Sequence, residues 1–477
     1  MPCRVMLINP ISVDEAPVIR IGRCQTKVQP GIGIWPPMDL ALIGGTLKKI
    51  DGVSDVWLYD AQIDGSYSFM MKRIIEYKPS IIILNCTTPT FRNDIHLINI
   101  IKATFENVFV IFFGLHATVK YEEIMSTGLV DCCVLKEPEY TIYLICESYL
   151  QRGKDDLRNI NNIVIHLDGC NIITYQRNEG NPVFLNCIPD RSLIENHRYK
   201  LSFHNRVFTI VQTSRGCKNH CTYCTSSILT PKYYSRSVES VLDEITIITS
   251  KFNIQDIMFL SDTFTADKTW VVEFCKKIID RRLKIHWMVN SRIDMVDYET
   301  AVWMKKAGCW LISLGIESGD QTILQTAGKD IRPIEVRAAV DLLKGVGILT
   351  IGYFMFGLPG ETAKSISKTI RFSCSLPLDF AYFFLATPFP GTGLYKQAVK
   401  NNWLTTSDWD CYSHGENCIL QYDNLTADIM TKSMKRAYKA FYLRPIWLVR
   451  QLKNMKSVQI LLNYIKAGVL VLKGGQV

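Results

Sequence analysis

Short, continuously apolar runs alternate with stretches of helical spacing along most of this chain, and that alternation limits its fold more than any other feature. "CRVMLINP" stops at Asn9-Pro10, and "DVWLYDA", "SIIILNCTTPT", "VFVIFFGLHA" and "DCCVLKEPE" repeat the pattern. Runs of this length and composition, closed by turn residues, read as buried strands. Helix-like segments such as "DLALIGGTLKKI" and "FMMKRIIEYK" lie between them. The alternation calls for a parallel sheet covered on both faces. Residues 1–150 are therefore expected to form an α/β, Rossmann-like, doubly wound domain. Such sheets bind ligands beyond the carboxyl ends of their strands. That rule nominates Asn9, Pro10, Asp60, Thr87, Thr88, Gly114, His116 and Glu137. No GxGxxG follows the first strand, so a dinucleotide is not indicated.

Residues 151–205 are polar and turn-rich, and read as a linker with a small strand pair. A second alternating series starts near residue 206. Its strands are "RVFTIVQTS", "DIMFLSD", "IHWMVNSR", "WLISLGIES", "LTIGYFMFGLPG" and "DFAYFFLATPFPGTG". Six strand–helix units over residues 206–404 predict a (β/α)6 partial TIM barrel with its chemistry at the strand ends. The polar clusters fall there: Ser261-Asp262-Thr263, Asn290-Ser291-Arg292, Glu317-Ser318 and Gly357–Thr362. Residues 405–477 form a helical, aromatic tail. It is expected to pack on the barrel, the rival reading being a lipid-facing surface helix in peripheral membrane contact.

Composition narrows the partners. The chain has 477 residues, 54 of them basic and 45 acidic, for a net charge of +9. No dense basic run stands out, so nucleic-acid binding is not expected. The N-terminus lacks the pattern of a secretory signal, and no uninterrupted apolar window reaches about 18 residues, so no membrane-spanning helix is expected. A cytoplasmic location follows, in which the sixteen cysteines stay reduced.

Three of those cysteines, Cys217, Cys221 and Cys224, crowd into "RGCKNHCTYC" after the first strand of the second series. Structural zinc takes four ligands, commonly two CxxC-like pairs, and no second CxxC exists in the chain. A redox CxxC accounts for Cys221 and Cys224 but not for Cys217. An iron–sulfur cluster held by three thiolates has one iron open to a small molecule. The CxxxCxxC spacing in this context, with Tyr223 before the last cysteine, resembles the radical S-adenosylmethionine (SAM) superfamily. The resemblance implies a 4Fe-4S cluster on the three cysteines and SAM on the open iron. Electron transfer from the cluster would then cleave SAM to a 5′-deoxyadenosyl radical. It also implies that Tyr223, Asp262, Thr263, Asn290, Ser291, Arg292, Glu317 and Gly357 surround SAM.

The two alternating series in this order resemble the cobalamin-binding radical SAM enzymes. "PPMDLALIGGTLKK" and "GLHATVKYEEIM…VDCCVLKEPEYT" are similar to parts of their front domain, and "AFYLRPIWLVRQL" is similar to their C-terminal segment. The branch contains the anaerobic magnesium-protoporphyrin monomethyl ester cyclase, hopanoid-associated enzymes and radical SAM methyltransferases. Two features depart from the family. The cobalamin fingerprint DxHxxG is absent, and the usual GEGE-like turn reads "KEPE". The resemblance implies bound cobalamin, with the eight front-domain residues nominated above as its surroundings. It further implies an external electron donor such as flavodoxin or ferredoxin, and methylation of an unactivated carbon or phosphorus centre in a hydrophobic or secondary metabolite. Oxidative cyclisation is the alternative reaction. A non-catalytic cluster or cobalamin sensor is the alternative class, distinguished by the lack of SAM cleavage.

Overall fold

The computed structural model describes residues 3–22, 25–28, 33–174, 187–201, 205–413, 417–445 and 447–449. Its first sheet contains β1 (Cys3–Asn9), β2 (Val53–Asp60), β3 (Ile81–Asn85), β4 (Phe109–Phe113), β5 (Cys132–Val134), β6 (Ile163–Leu167) and β7 (Cys170–Ile173). The order is β2-β1-β3-β4-β5-β6-β7. The apolar runs have a side-chain period of two. Val5, Leu7, Ile81, Ile83 and Ile111 face one buried layer, while Met6, Ile8, Ile82, Leu84 and Phe112 face the other. Both faces are thus covered by helices, as a parallel sheet requires.

The strand pair expected within residues 151–205 exists, but it is not separate from the first domain. β6 runs antiparallel to β5, and β7 antiparallel to β6, so the pair completes the first sheet. Ile163 and Ile165 of β6 are fully buried in the same core as Cys132 and Val134 of β5. Burial of that face holds the pair on the sheet edge.

The second sheet is entirely parallel and follows chain order. It contains β8 (Phe208–Gln212), β9 (Asp256–Leu260), β10 (His286–Arg292), β11 (Cys309–Glu317), β12 (Leu349–Phe356) and β13 (Phe380–Leu385). It is open between β8 and β13, which makes it a partial barrel. Helices such as Val238–Lys251, Lys268–Asp280 and Ala363–Ser375 cover its outside. Each begins at a side-chain cap: Ser237, Asp267 and Thr362 accept from the backbone N–H three residues on.

The tail divides. Helix Ala427–Tyr442 packs on β13, where the Tyr442 hydroxyl donates to Ala381 O at 2.9 Å and the Tyr438 hydroxyl to Phe383 O at 3.2 Å. Residues near Trp409 lie on the front domain instead. Trp409 Nε1 donates to Glu123 at 2.9 Å, and Asp408 pairs with Arg92 at 2.9 Å. The second helical run of the tail lies outside the described residues, and with it most of the segment read as lipid-facing. Among the described residues no helix is long and apolar enough to cross a membrane.

The two sheets share a core. Phe208 and Ile210 of β8 and Met258 of β9 are packed with the layer that holds Leu7, Ile83 and Ile111. The carboxyl ends of β3, β4 and β5 consequently open onto the same cleft as those of β8, β9 and β10.

Candidate cofactor cleft and cluster loop

The three cysteines stand on a loop pinned by backbone contacts. Ser214 and Arg215 pair with Ser235 and Tyr234, and then Gly216 turns the chain at φ +73°. Thr222 N donates to Ala327 O at 3.0 Å, and Thr222 O accepts from Leu394 N at 2.8 Å. Two glycines allow this approach. A Cβ at Gly328 would lie 3.0 Å from His220 O, and one at Gly393 would lie 3.2 Å from Thr222 O. Cys217, Cys221 and Cys224 are partly exposed. Asn219 Nδ2 donates to Cys217 Sγ at 3.5 Å, Thr263 Oγ1 lies 3.8 Å from Cys217 Sγ, and Arg292 Nη1 lies 3.8 Å from Cys221 Sγ. Burial pushes the Cys221 thiol up, while Lys329 and then Arg292 draw it back toward thiolate. Among the described residues no three His, Cys, Asp or Glu side chains converge to share one ion.

The strand-end residues divide by face. Asp262 and Asn290 line the cleft. Arg292 follows Asn290 at the barrel mouth and is held bidentately by Asp294 at 3.0 and 2.9 Å. Ser291, between them, points the other way, as strand alternation requires. Its hydroxyl is bonded to Thr265 Oγ1, and it does not line the cleft. Glu317 sits in the left-handed region at φ 63°, at an irregularity in the pairing of β11 with β12. Its Oε1 accepts from Lys329 Nζ at 2.6 Å, with both groups buried. Burial, and then the nearby Glu317 carboxylate, push the Tyr223 phenol well up. Gly357 does not reach the cleft. It forms a turn at φ +91°, its N–H donating to Glu361 at 2.5 Å and its carbonyl accepting from Tyr422 at 2.7 Å. A Cβ there would press on Met430 of the outer helix at 2.9 Å.

The cleft is open to solvent. Its front-domain wall includes Arg20, Asp39, Asn85, Thr87, Gly114 and Glu137, and its barrel wall includes Gln212, Arg215, Asp262 and Asn290. Gly114, at φ +100°, keeps the floor open, because a Cβ there would fall 2.1 Å from Asn85 Oδ1. Asn85 Nδ2 donates to Asp39 Oδ2 at 2.7 Å, and burial pushes the Asp39 carboxyl up.

Thr87, Gly114 and Glu137 thus line the cleft, whereas five other front-domain nominees do not. Asn9 and Asp60 are spent on each other and on Tyr199. Asn9 Nδ2 and the Tyr199 hydroxyl donate to Asp60 at 2.9 and 2.7 Å, and burial pushes the Asp60 carboxyl up to about 7. The Pro10 carbonyl accepts from Gln62 and Arg20. Thr88 bonds backward to Gln25 and lies 3.4 Å from His116 Nδ1. His116 is fully buried on the opposite layer, 4.6 Å from Phe91 and 5.5 Å from Trp409 between ring centres. Burial pushes its imidazole down to about 3. No histidine is among the described residues lining the cleft.

Several functional candidates had no sequence signal strong enough to single them out. Lys329 follows a short helix, and only the fold brings it to Cys221. Glu139 is the last residue of "KEPE", and its carboxylate is held bidentately by Arg215, with Nη1 to Oε2 at 2.9 Å.

The Radical SAM superfamily matches residues 211–373, and the B12 binding domain matches residues 32–145. The chain is 32% identical over 430 residues to an uncharacterized methyltransferase of Pyrococcus horikoshii, covering 87% of this chain and 90% of the relative. It is 25% identical over 448 residues to the anaerobic magnesium-protoporphyrin IX monomethyl ester cyclase of Cereibacter sphaeroides, covering 92% of this chain and 72% of that one. In fold it is similar to the cobalamin-dependent SAM radical enzyme OxsB, with TM-score 0.74, 15% identity, and coverage of 99% of this chain and 71% of that one. It is also similar to the radical SAM methyltransferase TsrM of Kitasatospora setae, with TM-score 0.66, 17% identity, and coverage of 84% and 78%. Fold and cleft together define a radical SAM enzyme whose barrel is joined to a corrinoid domain. The chain belongs to the B12-binding radical SAM family, and its cofactors are a 4Fe-4S cluster, SAM and cobalamin.

Proposed function

We propose that this protein is a cobalamin-dependent radical SAM methyltransferase acting on a small hydrophobic metabolite. One observation carries the reading: a single cleft is walled by the B12-binding domain on one side and by the ends of β8, β9 and β10 beside the cluster loop on the other. When bound, the cluster supplies the electron that cleaves SAM, and cobalamin supplies a site that carries a methyl group.

The residues divide the work. Cys217, Cys221 and Cys224 hold the cluster as thiolates. Arg292 and Lys329, the two cations beside Cys221, favour that state and present positive charge to the SAM carboxylate. Asp262 and Asn290 face the same end of the cleft and orient SAM. Thr87, Gly114 and Glu137 face the corrin. An external one-electron donor of the flavodoxin or ferredoxin kind reduces the cluster.

Anaerobic purification from a cobalamin-importing host, cluster reconstitution and corrinoid extraction test the reading. About one corrinoid per chain, with transfer of an isotope-labelled methyl group from SAM to an acceptor, is the expected result. A new ring or added oxygen in the product, without methyl gain, would assign the cyclase reaction instead. Intact cluster and cobalamin with no SAM cleavage would assign a sensor.

A further inference from the structure

We infer that the turn Lys136–Glu139 of the corrinoid domain fixes the cluster loop in register with the corrin, with Glu139 and Arg215 as positioning residues. This rests on the reading that cobalamin fills the cleft. The turn follows β5 and is set by Lys136 in the left-handed region at φ 65°. Two of its carboxylates cross the cleft and grip the barrel on either side of the cysteines. Before the loop, Glu139 holds the Arg215 guanidinium bidentately, and Gln212 Oε1 accepts from the same guanidinium at 2.9 and 3.0 Å. After the loop, Glu137 Oε1 accepts from Thr230 Oγ1 at 3.0 Å. Glu139 is 3% exposed at its side chain and Arg215 13%.

Bidentate pairs of this kind fix direction as well as distance. Arg215 stands two residues before Cys217, and Gly216 between them packs so closely on the Lys232 carbonyl that an added Cβ would fall 2.1 Å from its oxygen. A shift of the turn is therefore passed to the first cluster ligand over a very short path. Misplacement of reacting groups by about 1 Å can cost about 10²-fold in rate. A device that sets the cobalt-to-cluster separation thus bears directly on the reaction.

The test is the magnetic coupling between the unpaired spins of the reduced cluster and cobalt(II), read by pulsed electron paramagnetic resonance on holoenzyme loaded with cobalamin. In the wild type one narrow distribution of separations is expected. In Glu139→Gln the coupling should weaken and its distribution broaden, while cluster iron and sulfide stay at wild-type levels. Glu139→Gln leaves a buried guanidinium without its carboxylate, so a second variant guards against simple unfolding. In Arg215→Met/Glu139→Leu an apolar pair replaces the ionic one, a change that buried pairs often tolerate. It should fold and still show the broadened distribution. A narrow, unshifted distribution in both variants overturns the inference alone. A wild-type protein that holds no corrinoid overturns both this inference and the proposed function.

Discussion

Gly216→Ala should remove the cluster without touching a ligand. Gly216 has φ +73°, and an added Cβ would stand 2.1 Å from Lys232 O, 2.8 Å from Lys232 C and 2.9 Å from Thr230 O. All three are backbone atoms, so no side chain can swing aside. The left-handed conformation alone costs a non-glycine residue about 1–2 kcal/mol, and forced overpacking adds about 1–3 kcal/mol. A total of about 2–5 kcal/mol is a large share of a typical stability of about 5–15 kcal/mol. The chain relieves it most cheaply by moving residues 215–217, which carries Cys217 away from its corner. Gly65→Ala is the control, because Gly65 is left-handed at φ +68° and ψ 18° and has nothing within 4 Å of its added Cβ. It incurs the backbone cost only. The assay pairs iron and sulfide per chain after anaerobic reconstitution with denaturant unfolding of the apoproteins. Gly216→Ala should lose most of its cluster and be clearly less stable than Gly65→Ala. A full cluster, with stability equal to that of the control, would refute the argument that the Lys232 carbonyl pins this turn.

Three other outcomes are expected. His116→Phe should bind cobalamin at wild-type stoichiometry, since His116 lies behind the sheet; loss of corrinoid on extraction would contradict that placement. Lys329→Met should destabilise the protein by about 3–5 kcal/mol in urea unfolding, because it strands the buried Glu317 carboxylate, and adding Glu317→Gln should recover much of the loss; no recovery would count against the pair. Asp60 has its folded pKa raised to about 7 by burial, above the unfolded value of 3.8. The folded state then binds the extra proton, so Asp60 contributes a loss of stability as pH rises from about 4 to 7 and a constant penalty above that range. Asp60→Asn should flatten that part of the stability–pH curve relative to wild type, and parallel curves would rule the assignment out.

Much of this architecture was legible because continuous apolar runs leave few alternatives. All eleven strands read from such runs are present, five in the first sheet and six in the second. The cysteine loop was legible for the same reason, since its spacing is local. What a run of residues hides is which face each one takes. Asn290, Ser291 and Arg292 are contiguous, yet Ser291 alone turns to the helix layer. His116 looked like a cleft residue because it follows β4, but the helical turn after Gly114 carries it to the back of the sheet. Lys329 and Glu139 matter through partners 12 and 76 residues away, a relation that only tertiary contact reveals. The exposed strand β7 went unassigned to the first sheet because its own pattern, with three of four residues exposed, gives little sign of burial.

The antiparallel pair β6–β7 also governs how the front domain can be made. A fragment ended near residue 150, where the alternating pattern stops, would leave β5 as a bare edge with its backbone N–H and C=O groups unpaired. Such edges recruit other chains. On the ribosome, the nascent front domain remains in that state until residue 173 has emerged. Any excised corrinoid module should therefore be cut beyond β7, and shorter versions are expected to precipitate.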